Sequence, residues 1–240
     1  MKLPPVIAID GTAGSGKGTV AAILARKLGF HLLESGRIYR AAGMMALQSG
    51  ELSADDLHKT DNPQLPRIAE DAARRLISAI GENAGRSLEQ VFDALFGGED
   101  LDSERAGKAA SVLASVAEAR VALLPLQRAA RKQPGLVAEG RDMGTVVFAD
   151  AAVMLYLDAD IQVRAARRQK QLQNRGVGAT IADVRAGLAA RDSKDKSRAC
   201  APLRRASAAV VMDSAECSAA RIAEDAARLF FVAARASGAE

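Results

Sequence analysis

A chain of 240 residues, 49% hydrophobic and 26% charged, is long enough for one large domain or a core with small insertions, and its balance is ordinary for a soluble globular protein. No run of about 18 apolar residues occurs, so no membrane span is expected, and "MKLPPVIAID" lacks the apolar stretch and cleavage site of a signal peptide. The net charge of +4 and pI near 9.3 point to anionic partners, but aromatics are only 3%, too few for stacking platforms on single-stranded nucleic acid. Cys200 and Cys217 form no close metal-type pair and read as reduced thiols, so the expected location is the cytoplasm.

In chain order, "PPVIAI" (4–9) is a short apolar run that reads as a buried strand, and "KGTVAAILARKL" (17–28) carries a helical stripe of Val20, Ile23, Leu24 and Leu28. "FHLL" (30–33) is a second strand, followed by Ser35 as a cap for the helix "GRIYRAAGMMAL". The stretch 50–102 behaves differently: it holds "PQLPRIAEDAARRL", and then "LISAI" and "LEQVFDALF", which are read as a hairpin about the turn-prone "GENAGRS", with helix an open alternative for "LEQVFDAL". Residues 103–133 are Ala-rich and helical, with Pro125 expected to kink or divide them. "GLVA" (135–138), "AVMLYL" (152–157) and "AAVVM" (208–212) are further strands, 160–200 is basic and polar, and "SAARIAEDAARLFFVAARA" closes the chain as an amphipathic helix. Strands alternating with helices predict an α/β layered fold with a largely parallel sheet.

Between the first strand and the first helix lies "GTAGSGKGT", residues Gly11, Thr12, Ala13, Gly14, Ser15, Gly16, Lys17, Gly18 and Thr19. A glycine-rich turn there presents backbone N–H groups and a helix N-terminus to phosphate oxygens, and Lys17 adds a point charge for the terminal phosphates. Gly18 stands where the common pattern has a metal-binding hydroxyl, which leaves Thr19 as the nearest candidate for magnesium or its water shell. An Asn-Lys-x-Asp guanine-reading motif is absent from the sequence, which favours a kinase over a switch GTPase. "GKGT" in this setting is similar to the nucleoside monophosphate kinases.

In a parallel sheet the C-terminal ends of the strands face one crevice. Ser35, Tyr39 and Arg40 follow the second strand, and Arg40 is either a bidentate phosphate ligand or a solvated helix arginine. Arg141 and Asp142 follow the third, as a structural ion pair or as one group for phosphate and one acceptor for an amino donor such as that of cytosine. Arg191, Asp195 and Arg198 offer two phosphate ligands and a carboxylate for ribose hydroxyls. Arg164, Arg167 and Arg168 lie about a helical turn apart, as a solvated basic face or as lid arginines that neutralise a transferring phosphoryl group.

"IDGTAGSGKGT", "LLESGRIYR", "EGRDMGTVVFADA" and "RDSKDKSRACAPL", in this order over residues 5–213, resemble the bacterial cytidylate kinase family. The resemblance implies ATP-dependent phosphorylation of CMP and dCMP with Mg²⁺, by a monomer with small-molecule partners and no nucleic acid or membrane. It implies a P-loop three-layer fold in five stretches: core 1–49, monophosphate-binding insertion 50–102, core 103–159, lid 160–192, and core with the last helix 193–240. ATP falls to the glycine loop and Arg164. Acceptor contacts fall to Ser35, Tyr39, Arg40, Arg141, Asp142, Arg191, Asp195 and Arg198, with Asp142 on the cytosine amino group and Asp195 on the sugar. Catalysis falls to Lys17, Arg141, Arg191 and Arg198, with no covalent intermediate or protein base.

The chain departs from the family where an arginine ordinarily helps hold the base: Asp102 stands there, and Arg105, about one helical turn on, is the candidate to compensate. Weaker acceptor affinity or altered base preference is therefore expected. Arg37, Glu139 and Ala149 are smaller departures. The alternatives are another small-molecule P-loop kinase, acting on UMP or a shikimate-like acceptor, and a non-catalytic nucleotide-binding protein.

Overall fold

The computed structural model of the protein describes residues 3–57, 62–97 and 101–236. The chain divides into two compact units, a larger one of Met1–Glu34 with Arg128–Glu240 and a smaller one of Ser35–Gln127. The stretch 50–102 falls within the smaller unit, with 58–61 and 98–100 outside the described residues.

In the larger unit, β1 (Val6–Gly11), β2 (His31–Glu34), β3 (Leu136–Glu139), β4 (Val153–Asp158) and β5 (Val210–Asp213) form a parallel sheet in the order β2-β3-β1-β4-β5. Each strand begins one or two residues later than its sequence pattern predicts. β1 is central and buried throughout, which accounts for its unbroken apolar run. Ile7 and Ile9 pack with Leu24 of α1 (Lys17–Leu28) and with Ile222 and Ala226 of α9 (Ala219–Ala236). Helices α7 (Ile161–Asn174) and α8 (Ile181–Ser197) start on the side-chain caps Asp160 and Thr180. A small apolar cluster of Ala165, Leu172, Val184 and Leu188 joins them and encloses the methyl group of Ala13. The α/β fold predicted from the sequence is the fold observed.

The smaller unit is helical, with α2 (Ser35–Gln48), α3 (Leu65–Glu82), α4 (Leu88–Phe96), α5 (Glu104–Leu113) and most of α6 (Ala117–Ala129). α2 and α5 approach closely because Gly43 has no side chain: a Cβ there would lie 2.7 Å from that of Ala109. Two sequence expectations fail here. "LISAI" and "LEQVFDALF" are helices, not a hairpin. The first continues the buried face Leu65, Ile68, Ala69, Ala72, Ala73 and Leu76, a three-and-four spacing that no strand can bury. The second opens on a capping box in which Ser87 accepts from the Gln90 N–H and the Gln90 side chain accepts from the Ser87 N–H. Pro125 does not divide the helix. α6 runs through it, because the carbonyl deprived of a partner is that of exposed Val121, and the break falls at 114–116, where α5 and α6 meet at 104°. No single helix among the described residues is long and apolar enough to cross a membrane.

Candidate active site

The glycine loop follows the C-terminal end of β1. Gly11 is obligatory: its φ is 149° and a Cβ would fall on the Leu157 carbonyl of the neighbouring strand. Gly14 and Gly16 take φ of 75° and 83°, and Gly16 in this left-handed conformation launches α1 at Lys17. The loop is held by its own polar atoms and by side chains from elsewhere in the chain. The Thr12 carbonyl accepts from the Ser15 hydroxyl and from Lys17 Nζ, both at 3.0 Å. The Thr12 hydroxyl donates to Asp158 Oδ1 at 2.7 Å at the end of β4. Thr19 is exposed one residue past Gly18, and Glu34 Oε1 lies 3.6 Å from where a Gly18 Cβ would be. A cavity of about 410 Å³ adjoins the loop, lined by Gly14–Gly16, Thr19, Arg167, Arg168 and Lys170 among others.

Most buried polar side chains of this unit surround the loop: Asp10, Thr12, Ser15, Lys17, Asp142, Arg164, Asp192 and Asp195. Burial, then the charge of Arg141 and more weakly of Arg191, lowers Lys17 to about 7. Burial also opposes the charges of Arg141 and Asp195, but these two pair at 2.8 Å. Their mutual attraction, aided for Asp195 by Arg191 and Arg198, leaves Arg141 above and Asp195 below its ordinary range. Arg198, at the C-terminal end of α8, lies 3.9 Å from Asp195 and donates from Nε to the Ala201 carbonyl at 2.5 Å. Asp142 is buried at the start of a π-turn, Met143–Val147. The two N–H groups after it, of Met143 and Gly144, donate to Asp10 at 2.9 and 2.8 Å. Burial pushes Asp10 up to about 6 against these two bonds, with the nearby Asp142 adding to the rise.

The larger unit therefore brings together Lys17 of α1, Arg141 beyond the end of β3, and Arg191, Asp195 and Arg198 of α8 and its C-terminal end. Arg164 stands apart from Arg167 and Arg168. It is buried, donates to the Ala13 carbonyl at 2.9 Å and to Asp192 at 2.6 Å, whereas Arg167 donates to Ser214. In the smaller unit, the Ser35 hydroxyl accepts from Gln127 Nε2 at 2.7 Å, with Ser35 itself the first helical residue of α2. Tyr39 is buried with the Arg120 guanidinium 5.5 Å above its ring. Arg40 donates to the Leu101 carbonyl at 2.6 Å and lies 3.4 Å from Asp102. Arg105 is exposed on α5, and Arg37 pairs with Glu89 at 3.5 Å.

Sequence reading passed over three aspartates. Asp10, Asp158 and Asp192 each sit in or beside a quoted motif, yet each acts on a segment 134, 146 or 179 residues away. Their adjacency to the loop and lid motifs was the only available signal.

The family model described as cytidylate kinase matches residues 7–231. The cytidylate kinase of Paraburkholderia phytofirmans is 43% identical over 214 residues, 89% of this chain and 87% of the relative. That of Burkholderia ambifaria (strain MC40-6) is likewise 43% identical over 214 residues, with the same coverage of both chains. The crystal structure of TT1252 from Thermus thermophilus covers 96% of this chain and 98% of its own at 20% identity and a TM-score of 0.44, too distant to bear on the site. With the family model matching most of its length and relatives 43% identical over 89% of it, the chain belongs to the cytidylate kinase family.

Proposed function

We propose that this member of the cytidylate kinase family transfers the γ-phosphoryl group of ATP to CMP and dCMP, as a cytoplasmic monomer without nucleic-acid or membrane partners. The observation that carries the reading is the buried Lys17 at the loop, with Arg141 and Arg191 acting on its charge. Glu139 and Asp195 offset the repulsion among these three cations only in part, so the arrangement favours accumulating negative charge. A phosphate oxygen of the acceptor attacks the γ-phosphorus, the bond to the β-bridging oxygen breaks, and ADP leaves. That oxygen is already anionic at neutral pH, so no protein base is needed.

Lys17 and the loop N–H groups hold and neutralise the donor phosphates, with Arg164 acting on that side through the loop. Thr19, together with the Glu34 carboxylate opposite Gly18, offers the hard oxygen ligands that suit a largely hydrated Mg²⁺. Bound with the nucleotide, that ion neutralises phosphate charge. On the acceptor side Asp142 accepts from the cytosine amino group and Asp195 from the sugar. Arg141, Arg191 and Arg198 stabilise the transferring charge, and Ser35, Tyr39, Arg40 and Arg105 complete the acceptor contacts. Residues 50–102 act as the monophosphate-binding insertion and 160–192 as the lid. The pairing of Arg40 with Asp102 supports weak acceptor affinity, since an acceptor phosphate must compete with a resident carboxylate.

The test is magnesium-dependent ADP formation from ATP with CMP, dCMP, UMP, AMP and shikimate side by side. Turnover with CMP and dCMP well above the others is the expected result. Equal turnover with UMP would assign altered base reading to the Asp102 departure, and turnover with none would sink the reading.

A further inference from the structure

We propose that Asp192, with Arg164, is a positioning residue for the donor site, bracketing the main chain of the glycine loop at Ala13 and tying the loop to the α7–α8 pair. This rests on the assignment of the loop to ATP phosphates. The bracket closes on both faces of one peptide residue. The Ala13 N–H donates to Asp192 Oδ1 at 3.1 Å. Arg164 Nη1 donates to the Ala13 carbonyl at 2.9 Å and to Asp192 Oδ2 at 2.6 Å, which closes a ring of three groups. Arg164 Nε is itself anchored, donating to the Ala159 carbonyl at 2.9 Å.

Packing follows the polar bonds. The Ala13 methyl is enclosed by Ala165, Leu172, Val184 and Leu188, and a Cβ on Gly14 would meet Arg164 Cβ at 3.5 Å and Leu188 Cδ2 at 3.7 Å. The pair is nearly dry, with Arg164 and Asp192 side chains only 7% and 10% exposed, so each strongly depends on the other. Gly14, Gly16 and Gly18 leave the loop little intrinsic stiffness. A bracket at Ala13, just before them, sets where the loop's N–H groups begin to converge. Because its two jaws come from α7 and α8, displacement of that helix pair pulls on the phosphate cradle.

Binding of ADP and of CMP, each measured separately by titration calorimetry on the full chain, tests the bracket, together with KM and kcat for both substrates. Asp192→Ala is expected to weaken ADP binding and raise the ATP KM by about tenfold or more, while CMP binding moves by less than about twofold. Asp192→Asn keeps an oxygen for the Ala13 N–H but loses the ion pair, so it lies between, and it serves if the alanine variant does not fold. Thr180→Ala removes the cap of α8 without touching the loop, and controls for mere loss of helix stability. Unchanged ADP affinity in both Asp192 variants, equal losses for ADP and CMP, or the same pattern in Thr180→Ala would overturn the bracket. Failure of the unaltered protein to bind ADP would overturn both the bracket and the donor assignment beneath it.

Discussion

The glycine loop and the strand-end arginines handle charge in opposite ways. The loop presents main-chain N–H groups and is braced by carboxylates from distant segments: Asp158 holds Thr12 and Asp192 holds Ala13. The arginines instead pair directly with carboxylates, Arg141 and Arg198 with Asp195 and, within the smaller unit, Arg40 with Asp102. A backbone cradle cannot be titrated or neutralised, so its difficulty is shape, which bracing solves. Side-chain cations cluster only when something offsets their repulsion, so their difficulty is charge, which internal ion pairs solve. On the proposed assignment, the donor side is therefore sensitive to geometry and the acceptor side to the balance of charges.

The sharpest way to break this distinction is Asp195→Asn. It leaves Arg141 and Arg198 without their nearest counter-charge in a site where Asp195 is only 10% exposed. Removing one member of such a pair strands the other, and kcat/KM for CMP should fall about a hundredfold. Steady-state kinetics with each substrate varied in turn would check it, and an equal rise in the ATP KM would show that the two regions are not separable.

A second effect runs through pH. Lys17 is lowered from 10.5 to about 7 by burial and by its cationic neighbours, so without ligand it sheds its proton near neutrality. Bound phosphate favours the protonated form, so binding takes up a proton above that point. MgADP affinity should be level just below pH 7 and fall above it by up to about tenfold per pH unit, with net proton uptake seen by calorimetry in buffers of different ionisation heat. The ligand-free protein behaves inversely: between about 7 and 10.5 the unfolded chain holds the extra proton, so stability rises with pH across that window. An affinity flat from about pH 7 to 9 would mean that Lys17 stays charged and that the crowding of cations is not felt.

The smallest effect is expected at Asp102→Asn. The Asp102 side chain is 53% exposed, so its ion pair with Arg40 is well screened. Releasing Arg40 should tighten CMP binding by about two- to fivefold, and the gain should shrink as salt is raised. Loss of affinity instead would mean that Asp102 holds Arg40 in its working orientation.

The sequence by itself determined the layered α/β fold and the phosphate loop. Strand periodicity, helix stripes and a contiguous glycine motif are local properties, readable over windows of ten residues or so. It misjudged "LISAI" because a short apolar run has no period of its own; only the buried face running from Leu65 assigns it to α3. Arg141, Arg191, Asp195 and Arg198 were legible as charges at strand and helix ends. That Asp195 balances two of those arginines, and that Arg164 is spent on Ala13 while Arg167 and Arg168 line the cavity, was decided only by tertiary structure. Burial raises the cost of every unmatched charge and so selects each partner, and with Arg141 and Asp195 54 residues apart and Arg164 and Ala13 151 apart, no local pattern reaches that far.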